Sequence, residues 1–300
     1  MKPVSSIINN GIVLLFITTF FWGGNAVAGK LANGTVSPAV LTFMRWSISG
    51  VILCFIARNY LKKDWPVFMK NLPYFGFMSL FGYTGFNLLL YFSLTHTTAI
   101  NVTIEQAAMP MFIFLLNFLI FRTKPFPVQL IGYVLTLIGV VLVVSGGSLE
   151  RLVNLEFNIG DIIMIFAAFS YSAYSVGLRA KPDVHWVSFL SFLIILASII
   201  SVPFMIYEAT TEYFIWPTTG MGWGVVLYAA IFPSVVCQAA FIRGNELLGA
   251  NNAAPFLNLV PIFGALLSVL ILGEEFLYLH LFAMALVIGG ILIAQKATQK

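Results

Sequence analysis

The chain has 300 residues, of which 60% are hydrophobic and 9% are charged. Because soluble domains carry about 25% charged residues, this composition excludes a soluble globular protein and indicates an integral protein of the lipid bilayer. The formal net charge of +4 does not indicate a nucleic-acid partner, because most basic residues lie in short connections between long apolar runs.

Ten apolar runs follow one another along the chain, each about as long as the roughly 20 residues that a membrane helix needs. None shows the period-two alternation of a barrel strand, so we predict an all-α integral membrane protein with ten transmembrane helices. The first run is too long for the apolar part of a signal peptide, and we expect it to be a span. The runs cover 11–31, 38–57, 72–93, 97–121, 127–146, 159–179, 186–207, 223–242, 249–272 and 276–295.

The positions of lysine and arginine predict that both termini are cytoplasmic, because cytoplasmic connections carry an excess of these residues. With that orientation only Lys30 and Arg151 lie outside, and Arg45 lies within a span. The predicted cytoplasmic residues are Lys2, Arg58, Lys62, Lys63, Lys70, Arg122, Lys124, Arg179, Lys181, Arg243, Lys296 and Lys300. The acidic residues that fall outside are Glu150, Glu156, Asp161, Glu208, Glu212, Glu274 and Glu275.

An internal repeat divides the chain into two similar halves. When Ala99–Lys124 is aligned with Ala250–Glu275 at an offset of 151 positions, eight of the 26 residue pairs are identical. Ten spans in two equal halves place five spans in each, so the second half begins on the opposite side of the membrane. We therefore predict two inverted five-helix repeats, residues 1–148 and 149–300. Such repeats are typical of transporters with a binding site between the halves near the midplane.

Two charged residues are predicted to lie inside the membrane. Glu105 lies about two turns into the fourth run, on the same helix face as Asn101, and Arg45 lies about two turns into the second run. Both runs descend from the outer surface, so the two charges are roughly 10–12 Å deep and form a candidate ion pair. Charges inside a membrane are costly and often functional, so Glu105 could bind substrate or a proton. A purely structural pair, or a water-filled vestibule around Glu105, is the other interpretation.

Pro110 and Pro261 occupy matched positions in the two repeats. Each proline removes a backbone donor and clashes with the carbonyl group four residues earlier. A pair of matched breaks favours gating hinges, although single prolines often only kink a membrane helix.

Polar and aromatic side chains inside the runs are the other candidate binding groups, since an amide facing lipid would lack a hydrogen-bond partner. The three histidines His96, His185 and His280 show no metal-ligand spacing, so we expect no metal site and no cofactor. Cys54 and Cys237 are expected to be unpaired. The predicted substrate-binding residues are Trp22, Asn25, Tyr83, Asn87, Tyr91, Asn101, Glu105, Tyr171, Tyr174, Gln238, Asn252 and Asn258.

These features together resemble the EamA family of the drug/metabolite transporter superfamily, over nearly the whole chain. The residues that carry the resemblance are Phe21-Trp22-Gly23-Gly24-Asn25, Phe43-Met44-Arg45-Trp46, Pro110, Pro261, Leu272-Gly273-Glu274-Glu275, Gly139 and Gly289. The first half departs from the pattern, with Arg122-Thr123-Lys124 where the second half has Gly273-Glu274-Glu275. We therefore interpret the Gly-Glu pair as local structure. The resemblance implies ten helices, inverted repeats, a central cavity, and export or exchange of metabolites such as amino acids.

We expect a secondary transporter of the cytoplasmic (inner) membrane that exports or exchanges small organic substrates by alternating access. Runs one, three, four, six, eight and nine are predicted to line its site. Amino acids, including aromatic ones, suit the amide and aromatic side chains best. Drugs, sugars or nucleotide precursors are the alternative, and protons are a candidate coupling ion. A channel, a membrane-embedded enzyme and a non-transporting receptor or scaffold are alternative functions that the sequence supports less well. The chain contains no GxxxxGK[ST] nucleotide-binding loop.

Overall fold

The computed structural model describes residues 10–122, 126–148, 150, 158–248 and 254–298. Helices and their connections make up these residues, and none of them forms a β-strand. In the first half the helices are α1 (Gly11–Leu31), α2 (Pro38–Ile56), α3 (Arg58–Lys70), α4 (Leu72–Ser79), α5 (Phe86–Ser93), α6 (Ala99–Gln106), α7 (Met109–Phe121) and α8 (Pro127–Val144). In the second half they are α9 (Ile159–Gly177), α10 (Trp186–Glu208), α11 (Gly220–Ile231), α12 (Cys237–Leu248), α13 (Leu259–Leu267) and α14 (Tyr278–Thr298).

Eight helical segments in the described residues are long and apolar enough to cross a membrane. They correspond to the first eight predicted runs. The last two runs correspond to shorter apolar helices, Phe256–Leu272 and Tyr278–Ala294. Helix α3 was not predicted from hydropathy because five of its 13 residues are charged. It packs on α10, where Phe68 stacks on Phe192 with ring centroids 4.1 Å apart.

Several helices are interrupted inside the predicted runs. Three π-helical turns occur in the described residues: Leu80–Gly85 joins α4 to α5, Phe232–Val236 joins α11 to α12, and Ser268–Leu272 follows α13. The first two turns coincide when the halves are aligned at the 151-residue offset. The break near Pro110 separates α6, which ends at Gln106, from α7, in whose first turn the proline lies. Pro261 lies in the first turn of α13, after the 3₁₀ turn Ala254–Asn258.

The two halves pack through several pairs of helices. Helix α2 packs on α10 and α8 packs on α14, while α1 contacts α12 and α13. Conversely, α9 of the second half contacts α5, α6 and α7 of the first. The α2–α10 contact brings the hydroxyl groups of Ser47 and Ser198 to 2.7 Å. These two residues are 151 positions apart.

Carboxylates of the second half cap the helices that carry Arg45 and Glu105. Glu208 accepts hydrogen bonds from the backbone N–H groups of Ala39 and Val40 at the start of α2, at 3.1 and 3.2 Å. Glu274 accepts from the N–H groups of Ala99 and Ile100 at the start of α6, at 2.8 and 3.0 Å. A carboxylate at a helix N-terminus is favourable because it meets unpaired N–H groups and the positive end of the dipole. This position agrees with a local structural role for the Gly-Glu pair.

The α8–α14 contact predicts that alanine substitutions at two adjacent glycines differ sharply in their effect on stability. A Cβ atom on Gly290 would press against the carbonyl oxygen of Gly132 and the side chain of Thr136, whereas one on Gly289 would meet no atom within 4 Å. We expect Gly290→Ala to lower the free energy of unfolding by about 1–3 kcal/mol, and Gly289→Ala to leave it nearly unchanged. Thermal unfolding of the purified variants in detergent measures the difference. Equal stability of the two variants would contradict this packing.

Candidate functional site

Arg45 of α2 lies at the centre of a buried polar cluster and is 4% exposed. Its Nε donates a hydrogen bond to Ser234 Oγ at 2.7 Å. Its Nη1 donates to Asn25 Oδ1, Asn87 Oδ1 and Tyr91 OH, at 3.1, 2.5 and 2.6 Å. The guanidinium therefore connects α1, α2, α5 and the second π turn. We call these five residues the Arg45 cluster.

Local hydrogen bonds orient the acceptors around Arg45. The Asn87 amide donates to the Tyr83 carbonyl oxygen at 2.9 Å, which turns its Oδ1 toward the guanidinium. Ser234 donates to the carbonyl oxygen of Ala229, five residues earlier, at 2.8 Å. Such a spacing of five residues is typical of a π turn. The π turn thus helps to place the Ser234 hydroxyl against Arg45.

The predicted ion pair between Arg45 and Glu105 is wrong. Glu105 is 1% exposed, and neither of its carboxyl oxygens has a hydrogen-bond partner among the described residues. It interacts electrostatically with Asp161 of α9 instead. Equal depth in the membrane does not determine the direction of a side chain. Helix α2 packs on α10 and α11, whereas α6 packs on α9 and α13.

Asp161 is the functional candidate that the sequence analysis missed, because it was counted only among the outer acidic residues. It is 2% exposed, and its Oδ1 accepts hydrogen bonds from Thr97 Oγ1 and from Asn101 Nδ2, the latter at 3.4 Å. The structure thus brings the predicted residues Asn101 and Glu105 together around Asp161. Its position two residues after the start of an apolar helix was the available signal. We call Glu105 and Asp161 the carboxyl pair.

The predicted tyrosines of the third and sixth runs form one aromatic group. The rings of Tyr83 and Tyr174 meet edge to face with centroids 5.6 Å apart, and Tyr171 lies 5.3 Å from Tyr174. Trp46 extends the group, with its ring 5.1 Å from Tyr83 and 4.5 Å from the Arg45 guanidinium. This aromatic group therefore packs against the Arg45 cluster.

Of the remaining predicted residues that the structure describes, Trp22, Gln238 and Asn258, none forms a hydrogen bond with a residue of the Arg45 cluster. Trp22 Nε1 donates to the Pro233 carbonyl oxygen at 3.2 Å, which ties α1 to the second π turn. Gln238 and Asn258 are half-buried, and Asn258 Nδ2 is without a partner among the described residues. Asn252 lies outside the described residues. Within those residues, no group of three metal-ligating side chains occurs.

An apolar cavity of about 300 Å³ lies between α1, α11 and the end of the ninth run. Its walls include Phe21, Gly24, Tyr228 and Leu267. Of the predicted substrate-binding residues that the structure describes, none lines it, because many of the amides and rings contact one another or Arg45. Tyr228 connects the two regions. Its hydroxyl donates to the Phe21 carbonyl oxygen at 2.9 Å, and the next residue, Ala229, accepts a hydrogen bond from Ser234 of the cluster.

Comparison with known proteins gives the family. A sequence model of the EamA-like transporter family matches residues 9–145 and 158–295. The chain belongs to the EamA-like transporter family. This family is part of the drug/metabolite transporter superfamily, and the chain is accordingly a multi-pass membrane transporter.

Relatives in three bacteria are named as transporters. The uncharacterized transporter YetK of Bacillus subtilis is 26% identical, over 90% of this chain and 82% of YetK. The uncharacterized inner membrane transporter YicL of Salmonella typhimurium is 24% identical, over 89% of this chain and 88% of YicL. An S-adenosylmethionine/S-adenosylhomocysteine transporter of Chlamydia trachomatis is 22% identical, over 93% of this chain and 87% of that protein. A solved structure shares the fold with a TM-score of 0.65 and 20% identity, over 97% of this chain and 99% of that one.

The Arg45 cluster predicts a stability cost for removing one of its acceptors. Ser234→Ala leaves the Arg45 Nε donor buried without its partner, so we expect the free energy of unfolding to fall by about 1.5–3 kcal/mol. Ser175→Ala is the matched control, because that half-buried hydroxyl bonds only within its own helix, to the Tyr171 carbonyl oxygen. Thermal unfolding in detergent compares the two. If both variants unfold at the same temperature, Ser234 does not stabilise Arg45.

Proposed function

We propose that the protein is a secondary transporter that moves small organic metabolites across the cytoplasmic membrane by alternating access. In this proposal ten membrane helices form two inverted five-helix halves, residues 1–148 and 149–300. The observation that carries it is the reciprocal packing of the halves. Helix α1 contacts the eighth and ninth runs through α12 and α13, and its counterpart α9 contacts the third and fourth runs through α5, α6 and α7.

Three further contacts support a two-fold relation between the halves. A residue that touches its own repeat partner lies on the symmetry axis, and Ser47 touches Ser198. The close approach of Gly132 to Gly290 is matched by that of Gly139 to Ala283. The first two π turns also occupy equivalent positions. If two inverted halves exchange their conformations, the access of a central site changes from one side to the other.

The carboxyl pair is the proposed coupling site. Two carboxylates held together away from water repel each other, so a proton or a cation between them stabilises the arrangement. The Nζ of Lys30 donates to the carbonyl oxygens of Leu94 and Thr97, at 3.0 and 2.6 Å, and not to either carboxylate of the pair. In this proposal Glu105 either carries a coupling proton or binds the amino group of the substrate.

Amino acids, including aromatic ones, are the proposed substrates, for export or exchange. An apolar cavity next to buried charged groups suits a molecule with a polar head and an apolar body. The relative named for S-adenosylmethionine and S-adenosylhomocysteine adds support, because both compounds carry an amino-acid head. Drugs, sugars and nucleotide precursors remain the alternative substrates. A channel would instead need a continuous pore lined by rings of carbonyls or charges.

The proposed orientation places both termini in the cytoplasm. Helix α3 supports it, because Arg58, Lys62, Lys63 and Lys70 concentrate positive charge at one end of the bundle. Cytoplasmic connections are enriched in such residues. The name of YicL, an inner membrane transporter, supports the proposed membrane.

Counterflow in proteoliposomes tests the proposed function. The purified protein is reconstituted, loaded with one unlabelled compound from an amino-acid and metabolite panel, and exposed to the same compound with a label. A carrier gives saturable uptake that the internal compound accelerates. Uptake that rises linearly with external concentration and is unchanged by the internal compound would indicate a channel and contradict the proposal.

The proposed role of the carboxyl pair predicts that a substitution of Glu105 reduces the coupling of uptake to protons. Glu105→Gln removes the charge at constant shape, so we expect stimulation of uptake by an imposed pH gradient to fall at least about tenfold. This estimate assumes that coupling depends on one charge-assisted interaction. Glu212→Gln is the matched control, because that carboxylate is exposed in a connection. Uptake in proteoliposomes with and without the gradient is measured. Unchanged stimulation in Glu105→Gln would remove this residue from the mechanism.

A further inference from the structure

The positive charge of Arg45 lacks a counter-ion among the described residues. All four of its hydrogen-bond partners, Asn25, Asn87, Tyr91 and Ser234, are neutral. A buried charge inside a membrane is costly and is normally paired with an opposite charge. The Arg45 cluster provides dipoles for the guanidinium but no anion.

The hydrogen bonds of Arg45 occupy only one side of its guanidinium. They use Nε and Nη1, which leaves Nη2 without a partner among the described residues. The side chain is held rigidly by these bonds and is 4% exposed. An arginine fixed in this way presents its remaining N–H groups in a planar geometry that suits a carboxylate.

The surroundings of Arg45 suit an amphipathic ligand. Gly24 and Tyr228 form part of the wall of the apolar cavity of about 300 Å³, and Gly24 directly precedes Asn25, which accepts a hydrogen bond from Arg45. Trp46 also packs on the guanidinium, whose central carbon lies 4.5 Å from the ring centroid. A positive group held beside the wall of an apolar cavity matches a molecule with an anionic head and an apolar body.

We propose that Nη2 of Arg45 binds the carboxylate of an organic substrate whose apolar part occupies the cavity beside Tyr228. This proposal rests on the proposed transport function and names the chemical class of its substrate. The bound carboxylate supplies the missing counter-ion. The carboxyl pair lies on α6 and α9, and the hydrogen-bond partners of Asp161, Thr97 and Asn101, do not belong to the Arg45 cluster.

A purely structural arginine predicts a different behaviour. If Arg45 were only structural, the protein would bind a carboxylate and the corresponding neutral amide equally well, because Nη2 would contact neither ligand. L-Phenylalanine and L-phenylalaninamide form a suitable pair of probes, since they differ only in this group. Both probes are titrated into the full-length purified protein, with calorimetric detection.

Asn87→Asp is the decisive variant because it places a carboxylate next to Nη1 at constant shape. The new internal anion should favour the folded state and compete with the ligand for the charge of Arg45. Asn10→Asp is the matched control, since it adds the same charge at the N-cap of α1, where aspartate caps as well as asparagine. Thermal unfolding verifies that both variants are folded.

We expect the wild-type protein and Asn10→Asp to bind L-phenylalanine at least about tenfold more tightly than L-phenylalaninamide, and Asn87→Asp to lose this preference. Three results would each overturn the proposal. They are a failure of L-phenylalanine to bind, equal binding of the two probes to the wild-type protein, and an unchanged preference in Asn87→Asp. Counterflow distinguishes a failure of the Arg45 proposal from a failure of the proposed transport function. Saturable counterflow of compounds without a carboxylate would leave the transporter intact and remove only the Arg45 site.

Discussion

The burial of one guanidinium group is the constraint on which the centre of this structure depends. Arg45 can be buried because α1, α5 and the second π turn each bring an acceptor to it. In a membrane interior water cannot replace a missing partner, and each unsatisfied polar group costs several kcal/mol, on the order of 2–7. The positions of these helices are therefore coupled. A shift of the second π turn, which belongs to the second half, changes the environment of a charge in the first.

The breaks in the helices lie inside the protein, close to the buried polar groups. Irregular backbone at membrane depth is tolerated only where protein or a cavity surrounds it. The first two π turns lie within the bundle, where Tyr83 and Ser234 are buried. The break before Pro110 separates α6, which carries Glu105, from the rest of its run. Glu105 therefore lies on a short, separately capped helix, whereas the Arg45 cluster is held by several helices. In the proposed function the Arg45 cluster forms a fixed binding region and the carboxyl pair a more independent coupling region.

The sequence predicts the parts of this structure that hydropathy and chain geometry control. The apolar runs locate the membrane helices, and Pro110 locates the break between α6 and α7. The sequence could not predict the direction of a buried side chain or its partner, because depth along a helix does not determine which neighbour a side chain faces. For that reason Glu105 was paired with Arg45 instead of Asp161. Helix α3 was missed because it is polar, and the π turns were missed because no residue type specifies them. The predicted roles of the site residues and the inverted halves stay predictions.

The most direct test of alternating access is a pair of distance measurements on one protein. Spin labels replace Thr95 and Thr210 at the proposed outer end, and Lys70 and Lys181 at the proposed inner end, in a variant whose Cys54 and Cys237 are serines. Electron paramagnetic resonance in lipid nanodiscs then records both distances with and without a compound that gives counterflow. The account predicts two populations at each end that change in opposite directions when the compound is added. A single, unchanged distance at both ends would contradict it.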